Sequence, residues 1–376
     1  MRLATLTLGC KVNSYDTEAM QEIFLNNNYE LVDFDSPSDV YLINTCTVTN
    51  LGDKKSRQMI RRAKKNNPGS IVIVTGCYAQ VSPGEISKIE GVNLIIGAKD
   101  RNRIFELVNE YINNNKDNKP LIHVSDILHE KTFERLKVTG LKNRTRAYLK
   151  IQEGCDNFCS YCIIPFARGP VRSRGLLDIL SEVKALAGNG FKEIVLTGIH
   201  VGSYGKDLVN ENLLGVIKHV HEIDGIERIR LSSLEPGIIT ENFVNNIKNL
   251  SKVCAHAHLS LQSGCDKTLN AMNRKYDTEG YKKALYLLRS NIENVAVTTD
   301  IIAGFPGETE EDFWGSYNFC ESMGFSKIHV FPFSPKKGTK AYAMEGQVAP
   351  GVKNLRAGLF SSLDKKLQLN FLTKNL

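Results

Sequence analysis

Three cysteines on one short loop constrain this chain more than any other feature. They are Cys155, Cys159 and Cys162, within Gly154-Cys155-Asp156-Asn157-Phe158-Cys159-Ser160-Tyr161-Cys162. Thiolates are soft ligands that select iron–sulfur clusters, zinc or Cu(I). A structural zinc wants four protein ligands, usually as two separated Cys-x2-Cys pairs, and this loop has no second pair. A 4Fe–4S cube is normally held by four cysteines. Three on one loop with no nearby fourth therefore leave one iron open for a small molecule. A zinc knuckle or chance proximity is the plainer alternative. The preceding Ala147–Ile151 reads as a strand, and Gly154 ends it.

Cys-x3-Cys-x2-Cys with an aromatic residue, Tyr161, before the last cysteine resembles the signature of the radical S-adenosylmethionine (SAM) enzymes. The resemblance implies that the open iron chelates the amino and carboxylate groups of SAM. The reduced cluster then cleaves SAM to a 5′-deoxyadenosyl radical that abstracts hydrogen from a substrate. The motif names the initiator and leaves the substrate to the rest of the chain.

Composition sets the outer bounds. A chain of 376 residues suggests two or three domains with ample core. Its apolar fraction of 42% and charged fraction of 24% are those of an ordinary globular protein. No run of apolar residues is long enough for a membrane span, and the N-terminus has no secretory pattern. Nine cysteines, six at motif-like positions and without an export signal, favour metal binding over disulfides. A cytoplasmic location is expected. The net charge of +7 permits a polyanionic partner without requiring one.

Residues 1–112 repeat a strand–helix pattern, with strands expected at Arg2–Leu8, Tyr29–Asp33, Val40–Asn44, Ile71–Thr75 and Leu94–Ile96. Short apolar runs alternating with helices predict a doubly wound parallel sheet, hence an α/β fold. Cys10, Cys46 and Cys77 each follow a strand. Loops at the carboxyl ends of parallel strands share one rim, so these three can meet as a second three-thiolate site. Three separate buried cysteines are the alternative.

The stretches Gly9-Cys10-Lys11-Val12-Asn13-Ser14-Tyr15-Asp16-Thr17-Glu18, Asn44-Thr45-Cys46-Thr47 and Thr75-Gly76-Cys77-Tyr78 resemble the amino-terminal domain of the methylthiotransferases. In that family the three cysteines hold a second 4Fe–4S cluster concerned with sulfur delivery. The wording is closest to the branch acting on N6-threonylcarbamoyladenosine in tRNA. It is less like the branches acting on isopentenyladenosine or on a ribosomal-protein aspartate.

Between Cys46 and Cys77, Lys54, Lys55, Arg57, Arg61, Arg62, Lys64 and Lys65 crowd one stretch that contains no acid. Met59, Ile60 and Ala63 leave a narrow apolar stripe, which predicts a helix with its cations outward. Such a face contacts phosphates without reading sequence; a solvated surface is the alternative. Residues 113–145 are expected to be a linker and connector, polar at 113–119 before Pro120.

From residue 146 onward, six β–α units are predicted, too few for a closed eight-unit barrel. This is similar to the open partial barrel of radical SAM enzymes. His258, Ser260 and Gln262 share one strand face, predicting a polar cavity lining. The resemblance places SAM contacts at strand tips: Thr197 and Gly198, Ser233 and Glu235, Gln262, then Ile302 and Gly304, with Tyr161 nearby. Arg168, Arg172 and Arg174, just past the cluster loop, are expected to meet phosphates at the mouth of the site. Leu355, Leu359, Leu363 and Leu367 predict a terminal helix packed on one face. The family usually continues into a small RNA-binding β-barrel, TRAM, which no stretch here can form.

The resemblance thus implies methylthiolation of tRNA at C2 of the modified adenosine beside the anticodon, within the anticodon stem-loop. It also implies two 4Fe–4S clusters, SAM, an electron donor and a sulfur donor. Rival readings are a sibling methylthiotransferase and a non-catalytic iron–sulfur RNA-binding protein.

Overall fold

The computed structural model describes residues 1–114, 119–140 and 145–374. Most of the expected 113–119 linker and part of the connector lie outside those residues. The first sheet runs β1 (Arg2–Thr7), β2 (Glu30–Val32), β3 (Val40–Thr45), β4 (Ile71–Gly76), β5 (Leu94–Ile96) and β6 (Leu121–His123). Its spatial order is β2-β1-β3-β4-β5-β6, every pairing parallel. All six residues of β3 are buried, as a strand covered on both faces requires. Strand β6 is not expected from the sequence. It lies in the expected connector and carries the first sheet beyond residue 112.

The helix α1 (Lys11–Leu25) follows β1, and α2 (Asn50–Asn66) follows β3. Buried Asp53, Ser56, Ile60 and Ala63 recur at helical spacing along α2, and Thr49 caps it by accepting from the Gly52 amide at 3.1 Å.

The second half contains β7 (Arg146–Glu153), β8 (Arg172–Ser173), β9 (Glu193–Gly198), β10 (Arg228–Leu231), β11 (His256–His258), β12 (Ala296–Ala303) and β13 (Lys327–Pro332). Strands β7, β9 and β10 pair in parallel, as do β11, β12 and β13. Bridges between Ile229 and Val253 and between Leu234 and Leu259 join the two arcs. The six-unit partial barrel expected from the sequence is therefore present, with β8 added antiparallel at its edge.

Side chains alternate strictly along these strands. Leu149, Ile151, Ile194, Leu196, Ile229, Leu231, Ala257, Leu259, Val297 and Ile301 enter the core beneath the surrounding helices. Their neighbours Tyr148, Val195, Arg230, His258, Thr298 and Asp300 fall on the opposite face and line the lumen.

The terminal helix spans Pro350–Lys374, but its buried residues are Lys353, Arg356, Phe360, Leu363, Asp364 and Leu367. Leu355 is exposed, which corrects the expected leucine stripe. At about 3.6 residues per turn, positions four apart drift around the helix, so the first leucine rotates into solvent.

Candidate functional site

Cys10, Cys46 and Cys77 come off β1, β3 and β4, three neighbouring strands of the first sheet. Gly76 turns the chain with φ +93°, where a Cβ would stand 2.4 Å from the Thr45 carbonyl oxygen. Only glycine fits that corner. A Cβ on Gly9 would fall 3.3 Å from the Cys46 Sγ, so the Cys10 and Cys46 loops touch. Asn13 fastens these loops, donating to the Leu8 and Thr45 carbonyls at 2.7 and 3.0 Å. Burial and the neighbouring Cys77 and Cys10 thiols push the Cys46 thiol up to about 12. Three thiols crowded in this way, with no disulfide among them, are a donor set suited to an iron–sulfur cluster.

The second triplet lies at the end of β7. Gly154 has φ +74°, and a Cβ there would stand 1.8 Å from the Pro170 carbonyl oxygen. Cys155 donates its amide to the Gly169 carbonyl at 3.0 Å, and Cys162 donates its own to the Cys159 carbonyl at 2.9 Å. Arg274 donates to the Cys159 Sγ at 3.2 Å and pairs with Glu235 at 2.7 Å. His200 lies 3.3 Å from the same carboxylate; burial works against its charged form, yet the Cys155 thiol and Glu235 push its pKa up to about 9. Burial works against the charged form of Glu235, yet His200 and Arg274 hold its carboxyl down at about 2. Donors aimed at ligand sulfurs stabilise thiolate charge and tune a cluster held there. Arg274 and His200 escape a reading of the sequence, because neither belongs to the quoted cysteine motif.

One side chain joins the first triplet to the segment that follows the second. Arg168, in the short helix Ile164–Arg168 just after Cys162, donates to the Cys77 Sγ at 3.2 Å. It also pairs with Asp16 at 2.9 Å and Glu153 at 3.1 Å. Lys150 and Arg101 complete the cluster, Arg101 also meeting Glu134 at 2.6 Å. Arg101, Lys150 and Arg168 hold the Asp16 carboxyl below its usual range against the effect of burial.

Arg168, Arg172 and Arg174 are therefore corrected. All three are buried, at 0%, 2% and 1% exposure, and face protein rather than an incoming phosphate. Arg172 donates to the Arg168 carbonyl at 2.9 Å, and Arg174 pairs with Glu182 at 2.7 Å. Arg168 finds its carboxylates on other segments, Arg174 finds Asp178 and Glu182 on the helix that follows it, and Arg172 donates to backbone carbonyls.

On α2, Lys54, Lys55, Arg61, Arg62 and Lys65 are exposed. Arg62 pairs with Asp35 at 2.6 Å, and Arg57 donates to the Tyr78 hydroxyl at 3.0 Å. The first turn of α2 docks on the barrel through Asn50, which donates to the Pro335 carbonyl at 2.9 Å, and through the buried Asp53–Lys336 ion pair. A crevice of about 670 Å3 runs between the halves here, lined by Asp53, Ser82, Glu85, Ile163, Phe166 and Lys336 among others.

The residues expected to meet SAM divide into two groups. Tyr161 and Ile302 pack in one apolar cluster with Met272, Phe305 and Phe333. Glu235 joins Cys159 through Arg274. Thr197 accepts from the Ser232 hydroxyl at 3.2 Å, and Gly198 fits against Gln152 because a Cβ would meet that side chain at 2.8 Å. Gln262 has φ +71°, with its carbonyl accepting from the Ile302 amide at 2.9 Å. Ser233 is exposed, and Gly304 is buried under Lys353 of the terminal helix, outside this cluster. No helix among the described residues is long and apolar enough to cross a membrane.

Residues 2–97 match "Uncharacterized protein family UPF0004" and residues 149–320 match the Radical SAM superfamily. The chain is 46% identical to threonylcarbamoyladenosine tRNA methylthiotransferase MtaB of Bacillus subtilis, over 96% of this chain and 80% of the relative. The enzyme of the same name from Aquifex aeolicus is 39% identical over 100% and 90% of the two chains. A tRNA-2-methylthio-N(6)-dimethylallyladenosine synthase of Clostridium tetani is 38% identical over 93% and 78%. Among solved structures, the radical S-adenosylmethionine methyltransferase TsrM from Kitasatospora setae shares the fold, with a TM-score of 0.64 at 14% identity over 88% and 73% of the chains. The chain belongs to the radical SAM methylthiotransferases, enzymes that use SAM and 4Fe–4S clusters to transfer a sulfur-containing group.

Proposed function

We propose that this chain adds a methylthio group at C2 of N6-threonylcarbamoyladenosine at position 37 of tRNA. The observation that carries the reading is Arg168, which reaches from the helix after Cys162 to the Cys77 sulfur. In this assignment Cys155, Cys159 and Cys162 hold the radical-generating cluster, and Cys10, Cys46 and Cys77 hold the auxiliary one. Bound there, the clusters and SAM supply the 5′-deoxyadenosyl radical and the methylated sulfur.

The protein's own residues position and shield. Arg274 and His200 hold positive charge against the Cys159 and Cys155 sulfurs. Tyr161 and Ile302, with Phe305 and Phe333, present an apolar wall suited to an adenine face. The exposed cations of α2 offer phosphate contacts. An anticodon-loop base is already outside a continuous duplex, so presenting it costs less than flipping a paired base. The reading also requires an electron donor, a sulfur donor and a cytoplasmic location. The domain division proposed with it is an auxiliary-cluster domain over residues 1–112, a connector over 113–145 and the radical SAM barrel from residue 146.

The test is mass spectrometry of modified nucleosides in tRNA from cells with and without the gene. Loss of the 2-methylthio form of threonylcarbamoyladenosine alone supports the reading. Loss of the isopentenyl counterpart instead assigns the chain to the sibling branch. No 5′-deoxyadenosine from reduced, reconstituted protein with SAM would make it non-catalytic.

A further inference from the structure

The lumen of the partial barrel carries a charge pattern that the cluster sites leave unexplained. Arg146, Glu193 and Arg228 are aligned across β7, β9 and β10, and one step further along, Tyr148, Val195 and Arg230 are aligned. All three arginines converge on one acid: Arg230 donates to Glu193 at 2.9 Å, Arg228 at 3.0 Å, and Arg146 lies 3.8 Å away. Each guanidinium carries five donors, so the two oxygens of Glu193 leave most of them unanswered by this acid. Lys11, the residue directly after Cys10, brings a fourth cation from the first domain at the start of α1, which packs against β7 and β9. The second lumen acid, Asp300, is engaged by His258 at 3.2 Å.

His256 adds a separate sign of a missing partner. It lies on the lumen face at the start of β11, and its buried Nδ1 has no hydrogen-bond partner among the described residues. Buried polar atoms are nearly always paired. His258, Asp300 and His329 bring donor atoms within 4.8 Å of one another, a geometry open to a metal ion. The surplus of cations around them disfavours a metal ion and favours an anion.

We propose that Arg230 and Lys11, with His256, form a receptor in the barrel lumen for the carboxylate of the target adenosine's N6 side chain, so that selection of an anionic over an apolar N6 substituent resides there. This rests on the functional reading above and names the residues that would separate this chain from a sibling acting on isopentenyladenosine. The placement suits the chemistry. Lys11 adjoins a thiol of the auxiliary triplet, and C2 and N6 flank N1 on one edge of the purine. A base whose C2 faces that triplet therefore keeps its N6 side chain on the same side, within reach of Lys11 and the lumen cations next to it. An isopentenyl group entering the same lumen would strand cations against hydrocarbon, whereas a carboxylate gains charge-assisted hydrogen bonds.

The test uses reconstituted holoenzyme and two anticodon stem-loop RNAs. One bears threonylcarbamoyladenosine at the target position, and the other is identical except that the threonine carboxyl is a primary amide. The ratio of kcat/KM for acid over amide cancels differences in cluster loading between preparations. Wild type is expected to favour the acid by roughly 100-fold. Arg230→Ala and Lys11→Ala are each expected to bring that ratio down at least tenfold, and Arg230→Lys to restore part of it. A wild-type ratio near one, or variants that keep the wild-type ratio, overturns the proposal while leaving methylthiolation intact. Wild type inert on the acid RNA overturns the functional reading itself, and this proposal with it.

Discussion

The Nε of Arg168 sits 3.2 Å from the Sγ of Cys77, although 91 residues separate them. The same guanidinium pairs with Asp16 and Glu153, all of them buried. Arg168 thus belongs at once to the auxiliary thiol triplet and to the joint between the two halves.

Replacing Arg168 tests both roles. Arg168→Met leaves Asp16 and Glu153 short of a buried partner, and removing one member of such a network costs about 3–5 kcal/mol. Denaturant unfolding should show that loss. Iron analysis should show the auxiliary site depleted first, since Cys77 loses its donor. Full iron retention with unchanged stability would remove Arg168 from both roles.

The six cysteines should separate into two phenotypes. Cys155→Ala is expected to abolish SAM cleavage. Cys10→Ala should still yield 5′-deoxyadenosine while sulfur insertion stops. High-pressure liquid chromatography of SAM products, run beside nucleoside analysis, reads both. SAM cleavage persisting in cluster-free Cys155→Ala protein would refute the assignment.

Gly154 is a backbone requirement. A left-handed φ costs a non-glycine residue roughly 1–2 kcal/mol, and the added Cβ would overlap the Pro170 oxygen. Gly154→Ala should therefore displace Cys155. The expected readout is loss of the radical-site iron together with a lowered Tm. A variant loading both clusters normally would show that the loop relaxes freely.

The exposed cations of α2 give a salt-dependence prediction. Lys54→Glu, Lys55→Glu and Arg61→Glu together should weaken tRNA binding. They should also flatten the dependence of log K on log salt by roughly 0.7–0.9 for each phosphate that these cations no longer neutralise. Filter binding across a salt series measures this. An unchanged slope would make α2 a merely solvated face.

His256 supplies a pH prediction. Burial and the nearby Arg230, His258 and Lys11 push its pKa down to about 4. The unfolded chain takes up this proton near the ordinary value of about 6.5, and the native chain resists until about 4. Between those values the unfolded state binds more protons, so stability falls as pH drops through this window and levels off below it. His256→Asn should show a shallower decline in Tm from pH 7 to 4 than wild type. Parallel curves would exclude His256 as a source.

Much of this is legible from local pattern. The β1, β3 and β4 strands announce themselves as short apolar runs, and their cysteines fall at one rim because parallel strands share a direction. The lumen placement of His258 follows from the two-residue period of a strand, whereas β11 ends there and leaves Ser260 and Gln262 beyond it. Long-range pairing is what local pattern does not carry. Arg168, Arg172 and Arg174 resemble a phosphate-facing cluster because nothing local announces carboxylates at Asp16, Glu153 and Glu182. Arg274 and His200 go unannounced for the same reason, since their meaning comes only from where the fold brings Cys159 and Cys155. Leu355 misleads differently: a spacing of four slips off the buried face of a helix. The short strand β6 carries only three residues, too few for a periodic signal.

The buried charges at the seam have a mechanical consequence. To swing the halves apart there, Asp16, Arg101, Lys150, Glu153 and Arg168 would have to meet solvent or lose partners together, and the Asp53–Lys336 bolt would have to open as well. Gape by hinging is therefore costly, and the spacing between the side of Cys10, Cys46 and Cys77 and the side of the Cys155 loop is set by the fold itself. On the proposed function, adjustment then falls to the RNA rather than to a change in the distance between the halves.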